Sequence, residues 1–323
     1  MLFGQPPVAP LPDTLDFTGQ TILVTGANTG LGYSIALTYL QRGASTLIIG
    51  VRSKSKGETA REELLSDPVV ASRTVQPVID ICELDMVSEK SVAAFAGHVK
   101  ANYPVLHVAI LNAGVFTFAW DTAKETGRET TIQVNYVSTV LLGLLLLPHL
   151  KATSKTSESP ARLTFIGSER ALVPHFNAPE TKPILDSLAI DPKAFDGQLR
   201  YAESKLLLAS FIKAYSAGVD PAEVIVNNMC PGAVATNLAR DAPWYFKPVI
   251  PLFYAIKGAR TPEVGARLVV RAAATGKESH GQLLSNDKIL RIPFTEGDSG
   301  RKFNERLRDE TLRVFEKGGY RGI

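Results

Sequence analysis

Cysteine is scarce in this 323-residue sequence, which contains only Cys82 and Cys230. Two cysteines exclude a disulfide framework and a cysteine-rich metal centre, and no metal site is predicted. A chain this poor in cysteine is typical of a reducing compartment, so a cytoplasmic location is expected.

An excess of one charge is also missing, since 35 basic residues stand against 32 acidic ones and the net charge is +3. This balance argues against nucleic acid as a partner, because nucleic-acid-binding domains concentrate positive charge. Hydrophobic residues make up 45% and charged residues 21% of the chain. Those proportions are ordinary for a globular protein and exclude the disordered, collagen-like and coiled-coil classes.

Long apolar runs are absent as well. The most apolar run, Val137–Leu147, ends at Pro148 and is far shorter than the roughly 20 residues that cross a bilayer. It is predicted to be a buried core helix, and no transmembrane segment is expected. The N-terminus lacks the basic start and apolar stretch of a signal peptide, and its prolines predict an extended arm over residues 1–17.

What recurs in the sequence is an alternation of strand-like and helix-like segments. Apolar, β-branched runs occur at Thr21–Thr25, Thr46–Ile49, Val75–Ile79, Val105–Leu111, Arg162–Ile166 and Val224–Asn227. Helix-like stretches occur at Leu31–Arg42, Lys56–Leu65, Glu89–Asn102, Thr130–Leu150 and Leu199–Ala217. This alternation predicts an α/β protein with a single-domain, doubly wound Rossmann fold, in which a parallel sheet carries helices on both faces.

A glycine-rich turn follows the first predicted strand, with Gly26, Gly30 and Gly32 between Thr25 and a helix-like stretch. Glycine permits a tight turn and close approach of the backbone to a ligand, and free N–H groups at a helix N-terminus attract phosphate. The spacing differs from the general G-x-G-x-x-G pattern. A plain strand–helix turn is the alternative, but the position after the first strand favours a dinucleotide cofactor.

The end of the second predicted strand bears on the choice of cofactor. An acid there would bind the ribose 2′-hydroxyl of NAD, whereas an arginine suits the 2′-phosphate of NADP. The sequence offers Arg52, Lys54 and Lys56 and no nearby acid. A solvated basic loop would have the same composition, but we expect NADP(H).

Tyr201 and Lys205 are four positions apart in a helix-like stretch, so their side chains share one helical face. A nearby ammonium favours the phenolate and is expected to lower the pKa of the tyrosine. The tyrosine can then exchange a proton with a substrate oxygen. Such a pair alone is a weak motif, because a surface helix contains it just as readily.

Further residues follow predicted strands at the carboxyl edge of the sheet, where ligands bind in doubly wound folds. They are Ser168, Asn112, Ala113, Gly114, Pro231, Gly232 and Thr236, with Asn135 in the long apolar helix. Each has a structural alternative as a turn, a cap or a core amide. The ordered set favours a common site.

Together these motifs resemble the short-chain dehydrogenase/reductase family over about residues 18–285. The resemblance rests on Thr25–Gly32, Asp85, Asn112–Gly114, Asn135, Ser168, Tyr201-x-x-x-Lys205 and Pro231-Gly232. Within the family, Val51–Ser53 and Arg260–Gly265 resemble NADP-preferring, retinol-dehydrogenase-like members. The chain is also similar to fungal reductases of natural-product pathways.

The resemblance implies a role for each matching residue. Tyr201 would be the general acid in carbonyl reduction, Lys205 would hold the nicotinamide ribose and lower the pKa of Tyr201, and Ser168 would polarise the substrate oxygen. Asn135 would anchor a water that links Lys205 to solvent, and Arg52 would bind the 2′-phosphate. The remaining cofactor contacts are expected from Gly26, Asn28, Thr29, Gly30, Leu31, Gly32, Asp85, Asn112, Ala113, Gly114, Pro231, Gly232, Val234 and Thr236.

An insertion at about residues 171–197 separates Ser168 from Tyr201 by more chain than in many relatives. If it folds over the mouth of the site, His175 and Phe176 face the substrate. A surface excursion remote from the site is the alternative.

Residues 241–260 lie where the family places its flexible substrate lid. Their aromatics, among them Trp244 and Phe246, suit a bulky, apolar ketone or aldehyde. The same side chains would also suit a small core within the lid or a partner surface.

The sequence therefore predicts NADPH-dependent carbonyl reduction. Alcohol oxidation by the same residues, a non-redox cyclase and a dinucleotide sensor remain alternatives. The C-terminal extension, 286–323, contains an expected amphipathic helix from about Gly297 to Lys317 that would cover the pocket, mediate assembly or bind a membrane surface. The resemblance implies a homodimer or homotetramer packed through the helices near Leu141 and Leu206.

Overall fold

Eight strands form one sheet in the order β3-β2-β1-β4-β5-β6-β7-β8. They are β1 Thr21–Thr25, β2 Thr46–Val51, β3 Val78–Glu83, β4 Val108–Leu111, β5 Ala161–Ile166, β6 Val224–Cys230, β7 Leu283–Ser285 and β8 Lys288–Ile289. All neighbouring pairs are parallel except β7 and β8. This computed structural model describes residues 4–173, 181–188, 192–236, 238, 242–244, 248–249, 254–256 and 258–322.

Helices cover both faces of the sheet. They are α1 Gly30–Gln41, α2 Lys54–Ser66, α3 Pro68–Ala71, α4 Glu89–Asn102, α5 Thr130–Ile132, α6 Thr139–Ser154, α7 Gly197–Ser216, α8 Pro262–Ala274 and α9 Gly297–Lys317. One apolar core lies among α4, α6 and α7, and a second lies among α1 and α8. Strands such as β1 and β6 are buried at every position, as expected for parallel strands that have helices on both faces of the sheet. The predicted fold class is confirmed.

The third strand lies later in the chain than the prediction of Val75–Ile79. Val75 is exposed, and the strand begins at Val78, which pairs with Thr46 of β2. β3 is an edge strand, so its first residues gain little from burial, and pairing with β2 decides its register. Apolar character alone therefore pointed to the wrong residues.

The long apolar helix is interrupted. Between α5 and α6, residues Gln133–Ser138 form a π-helical segment that contains Asn135. The combined stretch, Thr130–Ser154, is long and apolar enough to cross a membrane, but 89% of its most apolar window is buried inside the fold. This burial agrees with the prediction of a buried core helix. Single π-helical turns are frequent at functional sites.

The predicted C-terminal amphipathic helix is present as α9 and packs along α7. Leu307 and Phe315 are fully buried in the core that includes α6 and α7. Leu141 and Leu206 are also fully buried within the chain. The predicted packing of a second subunit through the helices near these two residues stays a prediction.

Candidate active site

A cavity of about 330 Å³ opens at the carboxyl ends of the strands. The predicted cofactor residues all line it: Gly26, Asn28, Thr29, Gly30, Leu31, Gly32, Arg52, Asp85, Asn112, Ala113, Gly114, Tyr201, Lys205, Pro231, Gly232, Val234 and Thr236. Ser168 lines it as well. Residues separated by most of the chain meet here because parallel strands all end at the same edge.

The turn after β1 brings the backbone close to this cavity. Gly26 and Gly30 have φ angles of +67° and +57°, which residues with a side chain rarely adopt. A Cβ atom on Gly32 would lie only 2.3 Å from the carbonyl oxygen of Gly26. The side chain of Thr29 does not cap α1, so N–H groups of its first turn remain available. The turn therefore fits a phosphate-bearing ligand.

Asn112 fixes this turn from the neighbouring strand. Its side-chain Nδ2 donates to the carbonyl oxygen of Thr25 at 2.9 Å, and the backbone N–H of Ala113 donates to the Thr25 hydroxyl at 2.9 Å. These bonds tie the end of β4 to the end of β1. Asn112 thus shapes the cavity wall in addition to lining it.

The ends of β2 and β3 form one side of the cavity. Arg52 is exposed, and Ser53 caps α2 by accepting from the backbone N–H of Lys56. All three line the cavity, and no acid at the end of β2 is among the described lining residues. Asp85 accepts a hydrogen bond from the backbone N–H of Val87 at 3.0 Å, which fixes the orientation of its carboxylate.

The opposite side holds Tyr201, Ser168 and Lys205. Tyr201 is hydrogen-bonded to Ser168. Lys205 Nζ donates to the carbonyl oxygen of Ile166 at 2.8 Å and lies 5.5 Å from the centre of the Tyr201 ring. The serine, tyrosine and lysine predicted from two separate motifs therefore form one cluster.

The electrostatics of this cluster differ from the expectation. Burial raises the pKa of Tyr201 above its usual value, and Cys230 beside it acts in the same direction, whereas the bond from Ser168 opposes them. Burial also lowers the pKa of Lys205 to about 8. The expected lowering of the Tyr201 pKa by Lys205 is not observed, because the ammonium bonds the Ile166 carbonyl and desolvation dominates for both groups.

Asn135 lies behind the cluster and is buried. Its Oδ1 accepts from the backbone N–H of Val115 at 2.8 Å, and its Nδ2 donates to the Val115 carbonyl at 2.9 Å and to Ser204 at 3.2 Å. These bonds hold the loop after β4 against α7. The predicted role of Asn135 as a water anchor stays a prediction.

A row of aromatic side chains extends from Tyr201. The rings of Phe116 and Tyr201 are 5.5 Å apart, those of Phe116 and Phe118 are 4.8 Å apart, and Trp120 contacts Phe195 at 5.8 Å. Phe116 lines the cavity. Sequence reasoning missed this row, although the apolar, aromatic segment directly after Asn112–Gly114 was a usable signal.

Of the four predicted substrate contacts, Trp244 is the one that lies within the described residues. Trp244 is 83% exposed and is not among the described residues that line the cavity. Its predicted contact with substrate stays a prediction. His175, Phe176 and Phe246 lie outside the described residues.

Away from the cavity, Asp80, Cys82 and His98 lie within reach of one another. Asp80 Oδ2 accepts from Cys82 at 3.2 Å, lies 3.4 Å from His98 Nε2 and accepts from the hydroxyl of Tyr103. These partners satisfy the hydrogen-bonding capacity of the carboxylate, so no bound ion is needed to account for the cluster.

The fold and the cavity together define a dinucleotide-binding α/β protein with a half-buried tyrosine beside a buried lysine. A model of the short chain dehydrogenase family matches residues 20–180. The chain is 39% identical over 318 residues to a short chain dehydrogenase of Arthrobotrys oligospora, covering 95% of each chain. It is 35% identical over 316 residues to the short-chain dehydrogenase/reductase tropG of Talaromyces stipitatus, covering 96% of this chain and 95% of the relative.

The chain belongs to the short-chain dehydrogenase/reductase family and is an oxidoreductase. The expected similarity to fungal reductases is confirmed. Solved structures share the fold. The Pseudomonas aeruginosa RhlG/NADP complex has a TM-score of 0.61 at 20% identity, covering 84% of this chain and 96% of its own. A Brucella melitensis 3-ketoacyl-(acyl-carrier-protein) reductase in complex with NADH has a TM-score of 0.58 at 19% identity, covering 84% of this chain and 97% of its own.

Proposed function

We propose that the protein is an NADPH-dependent reductase that acts on the carbonyl group of a bulky, apolar ketone or aldehyde. One observation carries the proposal: a single cavity has Tyr201, Ser168 and Lys205 on one side and the glycine turn with Arg52 on the other. When bound, the reduced nicotinamide supplies the hydride, and the protein supplies orientation and proton transfer.

Tyr201 is the general acid in this proposal. Because burial raises its pKa, the phenol carries its proton at neutral pH, as proton donation to a nascent alkoxide requires. Ser168, which is hydrogen-bonded to Tyr201, adds a second donor to the same oxygen. Lys205 lies beside the ring and adds positive charge as the proton leaves. This arrangement favours reduction over alcohol oxidation.

The proposed preference for NADPH rests on the end of β2. Arg52, Ser53 and Lys56 surround the position of a ribose 2′-substituent with donors and positive charge. An acidic side chain, which would select the 2′-hydroxyl of NADH, is missing from these lining residues.

The proposed substrate class rests on the aromatic row. Phe116 and Phe118 offer half-buried rings next to Tyr201, which suits a flat or bulky apolar carbonyl compound. The fungal relatives make an intermediate of natural-product synthesis a fitting substrate. The free thiols of Cys82 and Cys230 suit the proposed cytoplasmic location, and the homodimer or homotetramer stays a prediction.

The test is binding of NADPH and NADH to the wild type, Arg52→Ala and Arg61→Ala, measured by calorimetry. Arg61 is the matched control, because it lies on α2, pairs with Glu58 and does not line the cavity. We expect Arg52→Ala to weaken NADPH binding about 10- to 100-fold, from the loss of a charge-assisted contact, with little effect on NADH. Equal affinities for both nucleotides in every variant would remove the proposed preference.

A second measurement tests the chemistry. NADPH deuterated at the nicotinamide C4 is incubated with a panel of ketones and aldehydes, and the products are analysed for deuterium. Label in a new alcohol supports reduction. Turnover of an alcohol panel with NADP⁺ but none of the carbonyl panel would favour oxidation, and tight binding without label transfer would favour a sensor or a non-redox catalyst.

A further inference from the structure

The N-terminal arm is held to the body of the protein by arginine side chains. Prolines at positions 6, 7, 10 and 12 have no backbone N–H, so the arm cannot form regular ladders and its carbonyl groups need outside donors. Arg260 donates to the carbonyl of Pro6 at 2.9 Å, and Arg271 donates to that of Ala9 at 2.7 Å. Leu11 is buried in the core.

Gln5 makes the contact nearest the cavity. Its side-chain Nε2 donates to the carbonyl of Ala233 at 2.7 Å, and its Oε1 accepts from the N–H of Ala233 at 2.9 Å. The same Nε2 donates to the carbonyl of Gly258 at 3.0 Å. One amide side chain thus bridges the segment after β6 and the segment that precedes α8.

Gly232 leaves room for this contact because it has no side chain. Its φ is +79°, and a Cβ atom at this position would lie 2.0 Å from Gln5 Oε1 and 2.6 Å from a terminal nitrogen of Arg260. Arg260 is buried and donates to the carbonyl of Pro231 at 2.9 Å. The glycine is therefore needed for the approach of the arm as well as for the turn of the backbone.

The segment to which Gln5 is hydrogen-bonded also forms part of the wall of the active-site cavity. Pro231, Gly232, Val234 and Thr236 line that cavity. We propose that Gln5 is a positioning residue: the arm holds residues 231–236 in the conformation that receives the nicotinamide end of the dinucleotide. This inference rests on the proposed function, since it assumes that the cavity binds a nicotinamide nucleotide.

The expected effect is selective. Each hydrogen bond contributes a net amount that corresponds to about 2- to 12-fold in an equilibrium constant, so loss of the three Gln5 bonds should weaken NADPH binding about tenfold. Binding of adenosine 2′,5′-bisphosphate, which has no nicotinamide, should stay within about twofold. A merely structural role would weaken both ligands alike or neither.

The experiment compares the wild type, Gln5→Ala and Gln41→Ala by calorimetry with both ligands. Gln41 is a matched control, because its side chain also bonds within the chain, to Asp67 at 3.2 Å, but lies at the far end of α1 from the cavity. In turnover assays with a carbonyl compound, Gln5→Ala should raise the KM for NADPH more than it lowers kcat. Unchanged NADPH affinity in Gln5→Ala, or an equal loss for both ligands, would overturn the inference.

Hydrogen exchange separates failure of this inference from failure of the proposed function. The N–H of Ala233 is bonded to Gln5, so its exchange should be faster in Gln5→Ala and unchanged in Gln41→Ala. A wild type that binds neither NADPH nor NADH overturns the proposed function and the inference with it. A wild type that binds NADPH, with Gln5→Ala exchanging faster at Ala233 but binding equally well, overturns the inference alone.

Discussion

The proposed nucleotide side of the cavity and the proposed substrate side are built by different means. The nucleotide side, from Gly26 to Asp85, consists of short turns attached directly to β1, β2 and β3. The substrate side consists of the loop after β4, whose Phe116 lies beside Tyr201 of α7. A turn attached to a strand inherits the position of that strand, whereas a longer segment takes its position from the surfaces it packs against. The residues of the nucleotide side can thus be predicted from local sequence, whereas those of the substrate side cannot.

The largest expected effect lies where the two sides meet. Tyr201→Phe removes the hydroxyl that bonds Ser168 and that, in the proposed mechanism, donates the proton, at a cost of about 3–4 kcal/mol in transition-state stabilisation. We expect kcat to fall about 10²- to 10³-fold while NADPH affinity changes little. Tyr215→Phe is the control, since Tyr215 lies on the same helix and stacks on Phe211. Retention of more than about a tenth of the activity would contradict the acid role.

On the nucleotide side, Gly32→Ala should abolish tight dinucleotide binding. The added methyl group would lie 2.3 Å from the Gly26 carbonyl, so the turn must open, and we expect a loss of about 3 kcal/mol in binding. Gly97→Ala, in the interior of α4 with no atom within 4 Å of the new Cβ, should bind normally and be about 0.5–1 kcal/mol more stable. Normal binding by Gly32→Ala would show that the turn does not contact the ligand.

The buried lysine predicts a pH dependence of stability. In the unfolded chain Lys205 keeps its proton up to about pH 10.5, whereas burial lowers the pKa in the folded protein to about 8. Between these values the unfolded state binds more protons, so this residue makes the free energy of unfolding rise with pH. Between about pH 7.5 and 9.5 the contribution is about 2 kcal/mol.

Denaturant unfolding of the wild type and Lys205→Met across this range measures the effect. Tyr39 and Tyr136, whose pKa burial raises, are common to both proteins and cancel in the difference. The wild-type free energy of unfolding minus that of the variant should rise across this range, since the buried thiols of Cys82 and Cys230 also titrate here in both proteins. Parallel curves would show that Lys205 is already solvated in the folded state.

The smallest expected effect concerns the substrate side of the cavity and the KM for the carbonyl substrate. Phe116→Ala removes the ring that faces Tyr201, and we expect the KM for a bulky aromatic ketone to rise about tenfold, equivalent to about 1–2 kcal/mol of apolar contact. NADPH affinity should stay the same. Phe116→Leu, which keeps apolar bulk, should give an intermediate KM. An equal loss for small and bulky ketones would argue against a specificity role.

Several features of the fold and of the cavity were predicted wrongly or missed. Val75 was assigned to a strand and is exposed, because the register of edge strand β3 depends on its pairing with β2. The short strand β7 and helix α8 were missed, although Thr261 caps α8 and Pro262 occupies its first turn, both local signals. The aromatic segment that contains Phe116 is visible in the sequence, but only the folded chain shows that the Phe116 ring meets Tyr201.

The amino-acid sequence by itself determined the strand–helix alternation, the glycine turn and the identity of the tyrosine, lysine and serine. These features depend on neighbouring residues and on the periodicity of the backbone. Only the tertiary structure decided that burial would raise the pKa of Tyr201 and that α9 would pack along α7. It alone also brought Gln5 to Ala233. The physical reason is that desolvation and long-range hydrogen bonds are properties of an assembled environment, to which distant segments contribute and which no local pattern encodes.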